Sequence, residues 1–232
     1  MPNLGFVNAE LIVQEGGLPP LVDLLSSSNE GIQQQAAGAL WSLSVNAENH
    51  IKIVREGALP YMVRLLQSPH NKIQEQAAGT LRNLAVNDEN KVKVVQEGAL
   101  PHLVALLRST YDPVLIQAAG SIRNLSVHPQ NEFKIVQEGG IKPLVDLLRS
   151  PNYKVVEQAA VSLRNLSVND ANKVYFGTDG ALAPLIALLR SPQLVVQEQA
   201  AVILRNLSLT SDNERNIIQE GGLPAIISLL RT

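Results

Sequence analysis

Residues 90–130 read NKVKVVQEGALPHLVALLRSTYDPVLIQAAGSIRNLSVHPQ. Asn90 is a good N-cap for a short helix running to Glu97. Gly98 ends that helix, because glycine most easily takes the left-handed conformation of a helix terminus. Pro101 then sits in the first turn of a second helix, where its missing N–H is least missed. Leu103, Leu106 and Leu107 share one face of that helix at helical spacing. A third and longest helix follows. Its counterpart upstream, Lys72 to Val86, would be about 22 Å long at ~1.5 Å per residue. The middle of this helix is small, Ala77-Ala78-Gly79 in one copy and Ala118-Ala119-Gly120 in another, as close helix packing requires.

Working outward, the same phrase returns every 41 residues. Glu15, Glu56, Glu97, Glu138 and Glu220 stand in register with Asp179, each followed by glycine: Gly16, Gly57, Gly98, Gly139, Gly180 and Gly221. The opening Asn returns at Asn8, Asn49, Asn131, Asn172 and Asn213, and is read as the N-cap of each first helix. Ser68-Pro69, Ser150-Pro151 and Ser191-Pro192 break the chain after the second helix. A period of this length means stacked helical units that bury their apolar faces against neighbours. The repeats are expected at about 8–48, 49–89, 90–130, 131–171 and 172–212, with a partial repeat at 213–232, in one all-α solenoid. Leu223, Ile226, Ile227 and Leu230 are left without a following repeat, and the copies are unusually alike. Both features fit a piece of a longer solenoid, or an engineered or consensus-like array.

Composition supports an aliphatic helical core: 45% of residues are hydrophobic and only 3% aromatic. The net charge of −2 supplies no field that would draw the chain onto nucleic acid or an anionic membrane. The absence of cysteine excludes disulfides and thiolate metal sites. The first residues lack a signal-peptide pattern, and no apolar run reaches bilayer length. A cytoplasmic or nuclear setting is expected. The sequons at Asn124, Asn165 and Asn206 are read as by-products of a repeated helical phrase.

No reactive constellation converges. His50, His70, His102 and His128 fall at different positions of different repeats and are read as lone surface residues. Asp88, Glu89, Asp170 and Asp212 precede first helices, where a carboxylate favours the positive helix end. No enzyme activity, metal or cofactor is expected.

One polar column breaks the apolar logic of the third helix: Asn83, Asn124, Asn165 and Asn206, with Ser42 in the first copy. Asn is a poor helix former, so each amide needs another reason to be there. It either stitches adjacent repeats or forms an exposed ladder that pairs with both groups of a peptide backbone. Arg82, Arg123, Arg164 and Arg205 precede the amides, and Trp41 takes that place first. Glu75, Glu157 and Glu198 lie seven residues before the arginines, about two turns away on the same face. Local Arg–Glu pairing and a groove of alternating charge both remain open. Trp41 is either a stacking anchor or a cover over the first repeat.

The unit resembles an armadillo repeat over essentially the whole chain. The resemblance rests on Gly57-Ala-Leu-Pro60 and Gly98-Ala-Leu-Pro101, the Leu-Leu close of helix two, and the Leu-Arg-Asn-Leu phrase at 81–84 and 163–166. It implies a right-handed superhelical solenoid whose third helices line a concave groove, with the Asn column holding an extended peptide. In the importin-α branch a Trp stands one turn before the Asn; here Gly38, Gly79, Gly120, Val161 and Val202 occupy the place. The Arg-Asn-Leu phrase looks more like β-catenin and plant armadillo proteins. The expected function is a non-catalytic scaffold that binds an extended peptide or disordered segment of a partner protein. An assembly module that self-associates end to end is the alternative.

Overall fold

A computed structural model of the protein describes residues 10–178 and 180–229, with side chains described to residue 227. Among these every regular element is a helix. The residues up to His128 form one compact unit and those from Pro129 onward a second. The first unit contains α1 (Leu18–Leu24), α2 (Glu30–Leu43), α3 (Asn49–Arg55), α4 (Ala58–Leu65), α5 (Asn71–Leu84), α6 (Asp88–Gln96), α7 (Ala99–Leu106) and α8 (Asp112–Leu125). The second contains α9 (Pro129–Gln137), α10 (Ile141–Leu147), α11 (Tyr153–Leu166), α12 (Asp170–Thr178), α13 (Leu182–Leu188), α14 (Leu194–Leu207), α15 (Ser211–Gln219) and α16 (Gly222–Leu229).

Two short helices and one of 14 residues make each repeat. Within the first unit α2 packs on α5 and α5 on α8; within the second α11 packs on α14. The six glycines of the Glu-Gly phrase, or Asp-Gly at Gly180, all have φ between 69° and 86°. This left-handed turn, strained for other residues, redirects the chain from first helix to second. The turn into the third helix repeats as well: Ser27, Ser68, Ser109, Ser150 and Ser191 each accept, through Oγ, the N–H two residues on. Gln33, Gln74 and Gln197 reach back from the third helix to donate to carbonyls left open by the preceding segment, those of Leu25, Ser68 and Leu189.

The core is built in columns. Leu40, Leu81, Ile122, Leu163 and Leu204 are buried in the third helices, and Ile53, Val94, Ile135, Phe176 and Ile217 in the first. Ala77, Ala78, Ala118, Ala119, Ala159 and Ala160 are fully buried, which confirms the small waist of the third helix as a packing device. Leu223 and Ile227 are exposed on α16, while Leu230 lies outside the described residues.

Two expectations are corrected. The recurring first-helix Asn is not the N-cap. The cap in α6 is Asn87, whose Oδ1 accepts the N–H of Asn90 at 3.1 Å. Asn46 and Asn169 similarly accept from Glu48 and Ala171. Asn49, Asn90, Asn172 and Asn213 are instead buried within the array. Asn90 donates to the carbonyl of His50, and Asn213 to that of Lys173, each joining one repeat to the previous one. Asn8 lies outside the described residues. His50 is buried rather than on the surface, with Nε2 2.9 Å from the Ser44 carbonyl oxygen.

The first-turn carboxylates bond locally. Asp88 pairs with Lys91, Glu89 with Lys93, Asp170 with Lys173 and Asp212 with Arg215. The hydrogen bond from Lys91 holds the Asp88 carboxyl below its ordinary range, and that from Lys93 does the same for Glu89.

Candidate functional site

The polar column lies near the C-terminal end of each third helix. Asn83, Asn124, Asn165 and Asn206 are all half-buried, and Ser42 is exposed. Asn124 donates through Nδ2 to the carbonyl oxygen of Arg82 at 2.8 Å. A carbonyl only accepts, so this bond fixes which side of the amide faces the scaffold. Asn83 donates to Ser44 Oγ and Asn206 to Ser167 Oγ, both at 3.0 Å. Each of these three amides thus spends one N–H on the preceding repeat. Its second N–H and its Oδ1 have no protein partner among the described residues. One half of each side chain therefore stitches adjacent repeats, and the other half has no bonded protein partner among the described residues.

The charged residues are not equivalent along the chain. Arg82 lies across Gly120 of the next third helix and donates through Nη1 to Gln117 Oε1 at 3.1 Å. A Cβ at Gly120 would stand 2.6 Å from Arg82 Nε, so glycine is what lets the guanidinium lie there. Trp41 lies against Gly79 in the same way, 2.5 Å from where a Cβ would be. The indole is half-buried against the neighbouring backbone. In the second unit the corresponding position is Val202. There Arg164 is half-buried with no hydrogen-bond or ion-pair partner for its guanidinium, and Gln199 Oε1, the counterpart of Gln117 Oε1, is buried and unpaired. Arg205 is exposed and equally unpaired; Arg123 is half-buried.

The glutamates follow the same division. Glu75 is buried and paired with Lys72 at 3.0 Å. Glu157 is half-buried and Glu198 exposed, and neither has a bonded partner. Local pairing between residues seven apart does not occur in either unit: Arg82 turns to Gln117 and Glu75 to Lys72. On α11 and α14 the result is a carboxylate and a guanidinium about 10 Å apart along each helix, neither with a bonded protein partner. Sequence reasoning missed Gln117, Lys72 and the glycine shelf. The signal was present in the change from Gly38, Gly79 and Gly120 to Val161 and Val202.

Tandem three-helix units with a recurrent polar column on the third helix define a helical repeat protein, a class that works through an extended surface. The Armadillo/beta-catenin-like repeat family matches at residues 7–45, 46–86, 87–127, 128–168 and 169–209. The chain belongs to the armadillo repeat family. Similar solved structures include an engineered protein at 31% identity, covering 93% of this chain and 89% of that one with a TM-score of 0.86. A computationally designed armadillo repeat protein for modular peptide recognition is 27% identical over 93% of this chain and 92% of its own, with a TM-score of 0.88. A designed armadillo repeat protein in complex with the peptide (KR)4 is 28% identical over 86% of this chain and 85% of its own, with a TM-score of 0.80. The recurrent phrases of its repeats and its engineered and designed neighbours place this chain among consensus-like arrays of the family.

Proposed function

We propose that the third-helix faces form a non-catalytic scaffold that holds an extended peptide, with the Asn column bonding the peptide backbone and the Arg and Glu positions reading its side chains. The observation that carries this is the half-spent amide. Each of Asn83, Asn124 and Asn206 is anchored by one N–H and keeps one donor and one acceptor open. A peptide unit needs one acceptor and one donor, and the anchoring bond reduces the freedom lost on binding. The designed relatives named for peptide recognition, one of them bound to (KR)4, support the same reading.

At about 1 kcal/mol net each, four amide positions supply about 4 kcal/mol of the ~8 kcal/mol of a micromolar complex; Arg pairs and apolar contacts supply the rest, and micromolar affinity at best is expected. The test is a labelled peptide array scored for acidic, basic and alternating-charge sequences, followed by anisotropy with the best binder. Asn165→Ala with Asn206→Ala should weaken binding by about 30-fold, at about 1 kcal/mol per amide. Unchanged affinity beside lowered stability would make the amides scaffold alone.

A further inference from the structure

The second unit holds an apolar cleft of about 420 Å³ between the N-terminal ends of α11 and α14, lined chiefly by Tyr153, Glu157, Pro192, Leu194 and Val195. Leu194 is 77% exposed and Tyr153 53%. Folding does not demand these residues. The positions in register with Leu194 in the first unit are Glu30, Asn71 and Asp112, and each heads a 14-residue helix of the same kind. An acidic residue in that turn would also suit the helix dipole, a benefit that leucine forgoes. Exposed apolar side chains gathered where the scaffold works with polar ones mark a contact surface.

Charge chooses the occupant. Glu157 lines the cleft half-buried and unpaired. Its counterpart Glu75 is neutralised by Lys72, but Lys154, in register with Lys72, is exposed and does not line the cleft. At the next repeat Val195 replaces that lysine altogether, leaving Glu198 unpaired as well. The cleft therefore offers an apolar wall, an aromatic ring and an uncompensated carboxylate. We propose that it is an anchor site for an arginine side chain of an extended partner peptide. The aliphatic stem packs on Leu194 and Val195, and the guanidinium meets Glu157 and the face of Tyr153. This rests on the third-helix face being a peptide-binding surface, and it assigns that surface a basic residue at one defined place.

The test uses the full chain and a blocked glycine–serine peptide carrying one arginine, with leucine and citrulline versions as controls, followed by amide chemical-shift mapping. The arginine peptide should shift Tyr153, Leu194 and Val195 and bind about 10-fold tighter than the citrulline peptide, the scale of a charge-assisted bond. Glu157→Gln should erase that preference. Leu194→Asn, the residue type found at position 71, should weaken the arginine peptide without disturbing the rest of the spectrum. Equal binding of the leucine peptide, shifts confined to other residues, or an arginine preference that survives Glu157→Gln would each overturn the proposal. Asn165→Ala with Asn206→Ala should weaken the arginine and citrulline peptides alike and leave their ratio at about 10-fold. A failure of the cleft is thereby separated from a failure of the Asn column.

Discussion

The first unit and the second share a scaffold but use their third-helix charges differently. In the first, Arg82 rests on Gly120 and bonds Gln117, and Glu75 is buried against Lys72. In the second, Val202 fills the shelf, Arg164 has no partner, Gln199 Oε1 is stranded, and Glu157 and Glu198 are unpaired. The unit with glycine at this position has its arginine bonded to the next repeat, and the unit with valine there has an arginine without a bonded partner. The difference matters because a guanidinium held by its own protein has fewer donors for a ligand, and a buried ion pair presents little charge to one. The first unit bonds these groups internally, Arg82 to the next repeat and Glu75 within its own helix, whereas Arg164, Glu157 and Glu198 of the second have no bonded partner.

The largest effect tests the part of the comparison that claims sameness. Leu81→Ala in the first unit and Leu163→Ala in the second remove fully buried side chains from the same column. Each should cost about 2–5 kcal/mol by denaturant unfolding. Costs that differ by more than this spread would show that the two scaffolds are not equivalent. A smaller effect tests the difference. Gly120→Val puts a Cβ 2.6 Å from Arg82 Nε, so the guanidinium must leave and Gln117 is orphaned. Stability should fall by about 1–3 kcal/mol, while affinity for an acidic peptide rises. Val202→Gly should do the reverse, drawing Arg164 onto Gln199 and weakening acidic-peptide binding about 5-fold, the equivalent of ~1 kcal/mol. If neither substitution changes charge preference, the shelf does not govern it.

The smallest effect concerns the first-turn carboxylates. Asp88 and Glu89 are depressed by their lysine bonds. A carboxylate with a lowered folded pKa contributes stability above its unfolded pKa and loses it as pH falls through the folded one. Thermal scans should therefore show the difference between the protein and Asp88→Asn shrinking below about pH 4, near the ordinary Asp range. Because both side chains are exposed, the effect should also weaken with salt. A difference that persists unchanged at pH 2 would assign Asp88 a role other than its charge.

Much of the repeat was legible one residue at a time. The six glycines after the acidic position take the left-handed turn because no other residue does so cheaply. The alanine waist is buried because only small side chains allow helices so close. The first-helix Asn was misread for an instructive reason. Asn is equally suited to a cap and to a buried bond, and the cap fell to Asn87, three residues earlier. Burial of Asn90 and His50 follows from the repeats that cover them, which a single copy does not reveal.

Order along the chain was enough to establish the period, the helix triplet, the turn chemistry and the polar column, since each depends on local stereochemistry or on regular spacing. The partners of that column belong to the tertiary structure. Arg82 lies on Gly120, 38 residues away, while Arg164 has Val202 at the matching position and no bonded partner. Only packing brings Arg82 and Gly120 together, where a Cβ would stand 2.6 Å from Arg82 Nε.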